Sequence, residues 1–378
     1  MGYSIKKNII FIPAWWPCSF FEEQQAIYHS TFQIYNIHGN CKLLSRRQSI
    51  RHLFHGKIQT TKRTQDAIYL KIFMRKKGCS QILDRRMRRI SFIIGQHIQN
   101  MLEGSLPDII YIQSISDIAV FVAEWGKQNG IRIVMSEHVL YIRRDLGYFS
   151  QKKEQLYNIA DQLFCVSQYQ YRNLLTNGFK PRKITVVGNM INEHALPTDW
   201  GKIKKNGRLI FVATHLSDKD LTTLLSTADL LRKDNIKIDI FGLTGAEKLD
   251  GKTLLVLSKE NNTDKTITFK GTVEHDTLLE QYHHYSLLLS TSISETFGLS
   301  IAEAIAHGTP VVCTDSGGIR DFVNEGNGIV VAPKDANGLC CAIHKALNHK
   351  YDYAKMSNEI LEKFGEQRYR ESTQLTTE

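Results

Sequence analysis

Two glutamates eight positions apart, Glu295 and Glu303, are the residues whose type and spacing most clearly suggest chemistry. They flank a predicted helix start at residues 298–300, and that helix ends where Gly308 suits a left-handed cap and Pro310 blocks continuation. The first turn of a helix has backbone N–H groups without internal partners and the positive end of the helix dipole, which together bind phosphate. Because each carboxylate can accept hydrogen bonds from sugar hydroxyls, the segment predicts a site for a sugar nucleotide.

The surrounding residues resemble the retaining glycosyltransferases of family 4, whose hallmark is a Glu-x7-Glu pair followed by Gly-x-Pro-Val. The C-terminal half carries the match in Gly308-Thr309-Pro310-Val311, Asp315-Ser316-Gly317-Gly318, Gly326-Asn327-Gly328 and Val331-Ala332-Pro333. The N-terminal half carries it in Ser136-Glu137-His138, Ala160-Asp161, Val166-Ser167 and Val186-Val187-Gly188-Asn189. The resemblance implies an α/β protein of the GT-B fold, with two Rossmann-like domains whose parallel sheets face an interdomain cleft.

The resemblance also implies roles for individual residues. In the family, the first glutamate contacts the transferred sugar, the second contacts the ribose, and the backbone after the first glutamate meets the diphosphate. The implied catalytic residues are Glu295, Lys219 and His138. The implied donor-binding residues are Glu303, Phe297, Gly298, Leu299, Ser300, His215, Thr272 and Val273. Two of these assignments carry alternatives: His215 stands where the family has an arginine, and Thr272-Val273 could be a plain turn.

The sequence also gives expectations for the acceptor-binding residues and for the mechanism. The first loop lacks the family's usual glycine, and its Trp15 and Trp16 either form a stacking wall for an acceptor sugar or pack in the core. We expect same-face attack with retention of anomeric configuration, with Lys219 and the helix amides stabilising the leaving phosphate. No cofactor or metal ion is required beyond the UDP- or GDP-linked donor, since Asp218-Lys219-Asp220 is better interpreted as helix-start acids than as a metal motif.

Strand and helix patterns alternate through both halves of the chain and predict parallel sheets with crossover helices. The pattern gives a strand at residues 8–12, a helix at 22–35 and an amphipathic helix at 79–102, and a linker at 192–207 precedes the second alternating half. We predict three regions: an acceptor-binding domain at 1–195, a donor-binding domain at 196–360, and a C-terminal helix at 361–378 packing back toward the first domain.

The charge is distributed unevenly. Residues 1–195 carry 27 Lys and Arg against 13 Asp and Glu, and residues 42–90 alone carry 15 basic residues against two acids. A basic region of this kind suits an anionic membrane surface or a lipid-linked diphosphate. No signal peptide or membrane-spanning segment is evident, and seven scattered cysteines favour a reducing compartment. We therefore predict a cytoplasmic protein attached peripherally to the inner face of the plasma membrane. The alternative is that the basic region is only a solvent-exposed surface.

Other functions remain open at this level. A sugar-nucleotide epimerase or a non-catalytic partner subunit could use the same fold, and the basic half could bind nucleic acid, although its charges are not interleaved with aromatic residues. The sequence identifies neither the donor sugar nor the acceptor. The range of the family suggests a hexosyltransferase of surface polysaccharide synthesis, such as lipopolysaccharide O-antigen or capsule, acting on a saccharide or a lipid-linked saccharide.

Overall fold

A computed structural model describes residues 7–12, 32–36, 80–141, 148–213 and 218–375. The chain divides into two compact units. One contains Met1–Val166, Gln170–Val187 and Thr373–Glu378, and the other contains Ser167–Tyr169 and Gly188–Ser372. The chain thus enters the second unit at Gly188, shortly before the predicted linker.

The first unit is built on a six-stranded parallel sheet in the order β2-β1-β3-β4-β5-β6. Its strands are β1 (Lys7–Ile12), β2 (Phe32–Asn36), β3 (Ile109–Ile112), β4 (Arg132–Glu137), β5 (Gln162–Cys165) and β6 (Ile184–Val186). The helices are α1 (Ser80–Met101), α2 (Asp117–Gln128), α3 (Tyr148–Ile159) and α4 (Gln168–Thr176). Residues 9–12 of β1 and all of β3 are continuous runs of buried apolar residues, as expected for a sheet covered on both faces.

The prediction of a helix at residues 22–35 is wrong at its C-terminal end. Residues 32–36 form β2, which pairs in parallel with β1 so that Ile34 lies opposite Ile9. Gln33 is exposed whereas Ile34 and Tyr35 are half-buried, a pattern set by the neighbouring strand. A β-branched and aromatic run gains more from this pairing than from helix propensity.

The second unit repeats the architecture with the strand order β11-β8-β7-β12-β13-β14. Its sheet contains β7 (Leu209–Val212), β8 (Ile238–Phe241), β11 (Ile267–Gly271), β12 (Leu287–Ser290), β13 (Val311–Thr314) and β14 (Gly328–Val331), and β9 (Lys248–Leu249) and β10 (Lys252–Thr253) form a separate small hairpin. The helices are α5 (Leu221–Leu231), α6 (Leu254–Glu260), α7 (His275–Tyr282), α8 (Leu299–Ala306), α9 (Ala336–Leu347), α10 (Tyr353–Phe364) and α11 (Glu366–Ser372). The sequence pattern predicts one long last helix from about Asn337, whereas the chain from Ala336 onward forms three shorter ones.

The α/β prediction of two parallel-sheet domains is confirmed. Each unit has its own apolar core between sheet and helices, one including Ile10, Ile112 and Phe121 and the other including Phe211, Leu289 and Ile343. Within the described ranges, no helix is both long enough and apolar enough to cross a membrane.

Candidate functional site

The order of strands in the second sheet marks the place where a ligand is expected. Strands β7 and β12 are neighbours, and chain order runs outward from this pair in opposite directions. In open parallel sheets, ligands bind outside the carboxyl ends of the strands at such a reversal. Lys219 lies on the loop that follows β7, and Glu295 lies on the loop that follows β12. The topology therefore brings together two predicted site residues that are 76 positions apart in sequence.

Lys219 and Glu295 form an ion pair at this edge of the sheet. The Lys219 ammonium donates to Glu295 Oε1 at 2.7 Å, and the Ser292 hydroxyl donates to the same oxygen at 2.9 Å. Both charged side chains are less than one fifth exposed. The pair keeps each charge satisfied without a ligand, yet leaves both groups accessible to one. Ser292 was not singled out by the sequence, because a lone serine near a strand end carries no distinctive signal.

The backbone around Lys219 is held against the strand that leads to Glu295. The Ile293 N–H donates to Asp218 O at 2.9 Å, and the Thr291 hydroxyl donates to Asp220 O at 3.1 Å. Asp220 adopts a left-handed conformation with φ of 37° and caps α5, its carboxylate accepting from Thr223 N at 3.1 Å. The carboxylate of Asp220 is thus occupied as a helix cap.

The loop after Glu295 leads into α8 through Gly298, whose φ of 95° suits glycine. Among the residues that the structure describes, the backbone N–H groups of residues 297–300 find no acceptor. These groups surround the positive end of the α8 dipole, where an anion is stabilised. The loop can therefore receive a phosphate without giving up hydrogen bonds of its own.

A second loop holds this segment in place. The Glu295 N–H donates to Ser316 O at 2.8 Å, and the Gly318 N–H donates back to Glu295 O at 2.9 Å, so that Glu295 and Gly317 form an isolated parallel bridge. Below the loop, Phe297 is 2% exposed and its ring centroid lies 5.1 Å from those of both Phe322 and Phe364. Only the backbone of Phe297 can therefore face a ligand, because its side chain anchors the loop in the interior.

Glu303 lies one turn further along α8 and is almost completely buried. Its Oε1 is 2.8 Å from His275 Nε2, and its Oε2 accepts from the Tyr282 hydroxyl at 3.3 Å. Both partners belong to α7, seven residues apart. Sequence reasoning missed them, although a histidine and a tyrosine at this spacing lie on one helix face and could have suggested a shared partner.

The C-terminal end of α8 is fixed from the linker side. The Lys205 ammonium donates to Gly308 O at 2.9 Å and to the Thr309 hydroxyl at 3.3 Å, a favourable place for a cation. Burial lowers the pKa of Lys205 to about 7. The Gly308 φ of 73° is the left-handed cap expected from the sequence.

The remaining residues predicted to bind the sugar-nucleotide donor lie on a loop or outside the described residues. Thr272 is exposed and Val273 half-buried on the loop between β11 and α7, and this loop leads directly to His275. Three predicted site residues, His215, Trp15 and Trp16, lie outside the described residues.

In the first unit, the segment that ends β4 carries a buried acid as well as the predicted His138. The His138 Nε2 atom lies 3.4 Å from the Ser136 hydroxyl. Glu137 is 4% exposed, and its carboxylate accepts from the backbone N–H groups of His138 at 2.8 Å, Val139 at 3.1 Å and Ile115 at 3.4 Å. Burial raises the pKa of Glu137 to about 7, against the lowering effect of these hydrogen bonds. Glu137 therefore shapes the loop that carries His138.

Glu137→Gln is expected to remove a pH dependence from the stability of the protein. The unfolded chain ionises this carboxyl near pH 4.5 but the folded chain only near pH 7, so the free energy of unfolding falls as the pH rises between these values. The difference corresponds to on the order of 3 kcal/mol. The free energy of unfolding of the variant, measured with urea and compared with that of the unchanged protein, should therefore be higher at pH 8 than at pH 5 by about that amount. Glu124→Gln is the matched control, and parallel pH profiles for Glu137→Gln and the unchanged protein would contradict this role for Glu137.

Comparison with known proteins agrees with this architecture. Residues 193–363 match the family model Glycosyl transferases group 1, and residues 62–194 match the model Glycosyltransferase Family 4. The solved structure of Anabaena HepE in complex with UDP is similar over 97% of both chains, with a TM-score of 0.67 and 16% identity. The chain has the GT-B fold. The two family models meet near the start of the second unit of this GT-B protein.

Curated relatives match over shorter stretches. An uncharacterized glycosyltransferase of Methanocaldococcus jannaschii is 31% identical over 103 residues, which is 26% of this GT-B protein and 26% of the relative. The poly(ribitol-phosphate) alpha-N-acetylglucosaminyltransferase of Staphylococcus aureus is 25% identical over 232 residues, 58% of this chain and 45% of the relative. The chain spans about half, or less, of the length of the curated relatives it matches.

Proposed function

We propose that this GT-B protein is a retaining glycosyltransferase that moves a sugar, a hexose in our proposal, from a UDP- or GDP-linked donor to a hydroxyl of a saccharide or lipid-linked saccharide. The observation that carries the proposal is the Lys219–Glu295 pair at the strand-order reversal, beside the N–H groups of residues 297–300, which find no acceptor within the described part of the chain. A cation, a carboxylate that accepts hydrogen bonds and the start of a helix lie together there. These are the groups that a sugar diphosphate needs.

In this proposal, the diphosphate lies over the first turn of α8 and draws Lys219 away from Glu295. Glu295 is then available to accept hydrogen bonds from hydroxyls of the transferred sugar, and Glu303 accepts from the ribose. The acceptor hydroxyl attacks from the face on which the diphosphate departs and passes its proton to a departing phosphate oxygen. The bond from the anomeric carbon to the acceptor oxygen replaces the bond to the phosphate oxygen, and the configuration is retained.

The barrier is lowered where negative charge develops, on the phosphate oxygen that leaves. Lys219 and the N–H groups of residues 297–300 are the donors that stabilise this charge, and one such donor contributes about 3 to 4 kcal/mol. The scheme requires no metal ion, because these groups already supply positive charge. His138 is proposed as a further catalytic residue. Thr272 and Val273 are proposed to contact the base.

Measurement of donor binding and transfer tests the proposal. We expect one member of a panel of UDP- and GDP-sugars to raise the melting temperature, since a ligand at 100 times its Kd adds about 2.7 kcal/mol to stability. Steady turnover should then require an acceptor, and NMR of the product should show the anomeric configuration of the donor. Turnover to an epimer without acceptor would instead indicate an epimerase. Failure of every nucleotide sugar to bind would exclude the proposed donor site.

The pathway proposed is the assembly of a bacterial surface polysaccharide. One relative is a transferase for poly(ribitol-phosphate), and a solved structure that covers 97% of each chain at a TM-score of 0.67 is the lipopolysaccharide outer core galactosyltransferase WaaB. These names describe those proteins, and they support a polymeric or lipid-linked acceptor for this one. Extension of a saccharide acceptor by one sugar is the product to look for.

Attachment to an anionic membrane is part of the proposal and is supported by helix α1. One face of α1 packs Met87, Ile94 and Ile98 into the core, and the opposite face exposes Arg85, Arg88, Arg89 and Phe92. The Phe92 side chain is 59% exposed among these arginines. A helix surface with guanidinium groups around an aromatic ring suits the headgroup region of a membrane that contains acidic lipids.

Replacing the arginines of α1 is expected to weaken binding to vesicles that contain phosphatidylglycerol. Each basic residue near an anionic surface contributes about 1 kcal/mol, so changing Arg85, Arg86, Arg88 and Arg89 to Gln should lower the partition coefficient by about two orders of magnitude or more. Vesicle co-sedimentation measures the change. The control variant removes the same charge from the second unit, by Lys→Gln changes at Lys233, Lys259, Lys265 and Lys350. Equal binding by the two variants would contradict the assignment of α1.

A further inference from the structure

Helix α7 directs two hydrogen-bond donors at one carboxylate of helix α8. His275, Leu279 and Tyr282 are at positions i, i+4 and i+7 and therefore share a face. Leu279 and Tyr282 are fully buried, whereas the His275 side chain at the start of the helix is 27% exposed. The face thus runs from the interior to the surface, and Glu303 lies between its two ends.

Glu303 is held without a permanent cation. Its side chain is 4% exposed, and within the described part of the chain neither lysine nor arginine forms an ion pair with it. A buried carboxylate is costly unless donors satisfy it. His275 Nε2 at 2.8 Å and the Tyr282 hydroxyl at 3.3 Å supply one donor to each oxygen. Because a carboxylate has about four acceptor positions, about two remain for a ligand.

The two donors are not equivalent. The Tyr282 hydroxyl is enclosed, and both burial and the neighbouring carboxylate raise the pKa of Tyr282 well above its ordinary value, so that it stays a donor. The backbone of Tyr282 is fixed as well, since its carbonyl accepts from the Thr309 hydroxyl. His275 is the donor on the accessible side, directly after the Thr272-Val273 loop. A hydroxyl that reaches Glu303 from solvent approaches beside His275.

We propose that His275 is a positioning residue that orients Glu303 toward the vicinal hydroxyls of the donor ribose, and thereby makes the site selective for ribonucleotides over deoxyribonucleotides. The proposal rests on the function proposed above. Two adjacent hydroxyls match the two acceptor positions that His275 and Tyr282 leave on the carboxylate. Without His275, one oxygen of Glu303 loses its donor and the carboxylate is no longer fixed in the orientation that receives both hydroxyls.

The test compares nucleotides that differ by one hydroxyl. Calorimetry would measure binding of UDP, 2′-deoxy-UDP, GDP and 2′-deoxy-GDP to the unchanged protein and to His275→Ala, and the base that binds would be carried forward. We expect His275→Ala to weaken binding of the ribonucleotide about tenfold, which is the size of one charge-assisted hydrogen bond. Binding of the deoxyribonucleotide should weaken less than about threefold. His275→Gln, whose amide can donate to Glu303, should recover most of the loss.

Controls separate this role from a general effect on the fold. His284→Ala removes an exposed histidine just beyond the end of α7 and should leave both affinities unchanged. Equal weakening of ribonucleotide and deoxyribonucleotide binding by His275→Ala would overturn the inference, because a structural role does not distinguish the two ligands. Unchanged affinities would also overturn it, while leaving the donor site intact. If neither nucleotide bound the unchanged protein, the proposed function would itself fail, and the inference with it.

Discussion

Replacing Lys219 by alanine is expected to lower the kcat of sugar transfer by about two to three orders of magnitude. The ammonium donates to Glu295 at the strand-order reversal, and in the proposed mechanism it stabilises charge that develops on the leaving phosphate. An interaction that strengthens in the transition state affects kcat more than KM. Steady-state kinetics with varied donor concentration would measure both constants.

The matched control for this variant is Lys252→Ala. Lys252 also forms a 2.8 Å ion pair with a glutamate, Glu260, on the same unit, but this pair is about half exposed and joins the small hairpin to α6 rather than the loops that follow β7 and β12. Lys252→Ala should leave kcat unchanged, since exposed ion pairs contribute little. Glu295→Gln should also lower the rate of transfer strongly, because in the proposed mechanism the carboxylate accepts from the sugar hydroxyls and a neutral amide accepts more weakly. Near-normal rates in both Lys219→Ala and Glu295→Gln would refute the assigned roles.

The parts of this site that depend on local chain chemistry are predictable from the sequence. Gly308 and Pro310 locate the end of α8, and the structure ends that helix at Ala306. The helix start was also expected at residues 298–300, and Gly298 is its N-cap. These features follow from backbone sterics and unpaired N–H groups within a few residues, so no knowledge of the rest of the fold is needed.

The parts that depend on distant partners are not predictable in this way. The burial of Glu303 depends on α7, which begins at His275 although the sequence pattern predicts a helix only from Leu278. Strand β2 forms because β1 offers it an edge. Glu137 could be read as an ordinary strand-end acid, yet three backbone N–H groups from two loops converge on it. In each case the energy comes from a neighbour far along the chain, which periodicity cannot identify.

The pairing of Lys219 with Glu295 is an intermediate case. Nothing in either residue's local sequence indicates that they touch, and the resemblance to a family implies only that both are catalytic residues. The strand order then supplies the physical reason, because only adjacent strands at the reversal bring the loops after β7 and β12 together. Distance in the sequence is therefore no guide to distance at this edge of the sheet.

Gly318→Ala is expected to disrupt donor binding by displacing the loop whose N–H groups are proposed to bind phosphate. A Cβ at this position would lie 2.1 Å from Thr296 O and 2.9 Å from Phe297 Cα, and these are backbone atoms that cannot turn aside as a side chain would. Overpacking of this kind costs about 1 to 3 kcal/mol. Urea unfolding measures that loss, and calorimetry with the donor nucleotide should show at least about tenfold weaker binding, since the loop must move to accommodate the methyl group.

The Gly318 prediction is steric rather than conformational, and its control reflects this. Gly318 lacks the left-handed φ that would make any side chain unfavourable, and so does Gly201, where a Cβ would come no closer than 3.3 Å to the Asp199 carboxylate. Gly201→Ala should therefore change neither stability nor affinity appreciably. If Gly318→Ala lost stability but bound the nucleotide normally, the loop could move without harm to the site. The N–H groups of residues 297–300 would then not be the phosphate donors, because a displaced loop cannot keep them aimed at the same atoms.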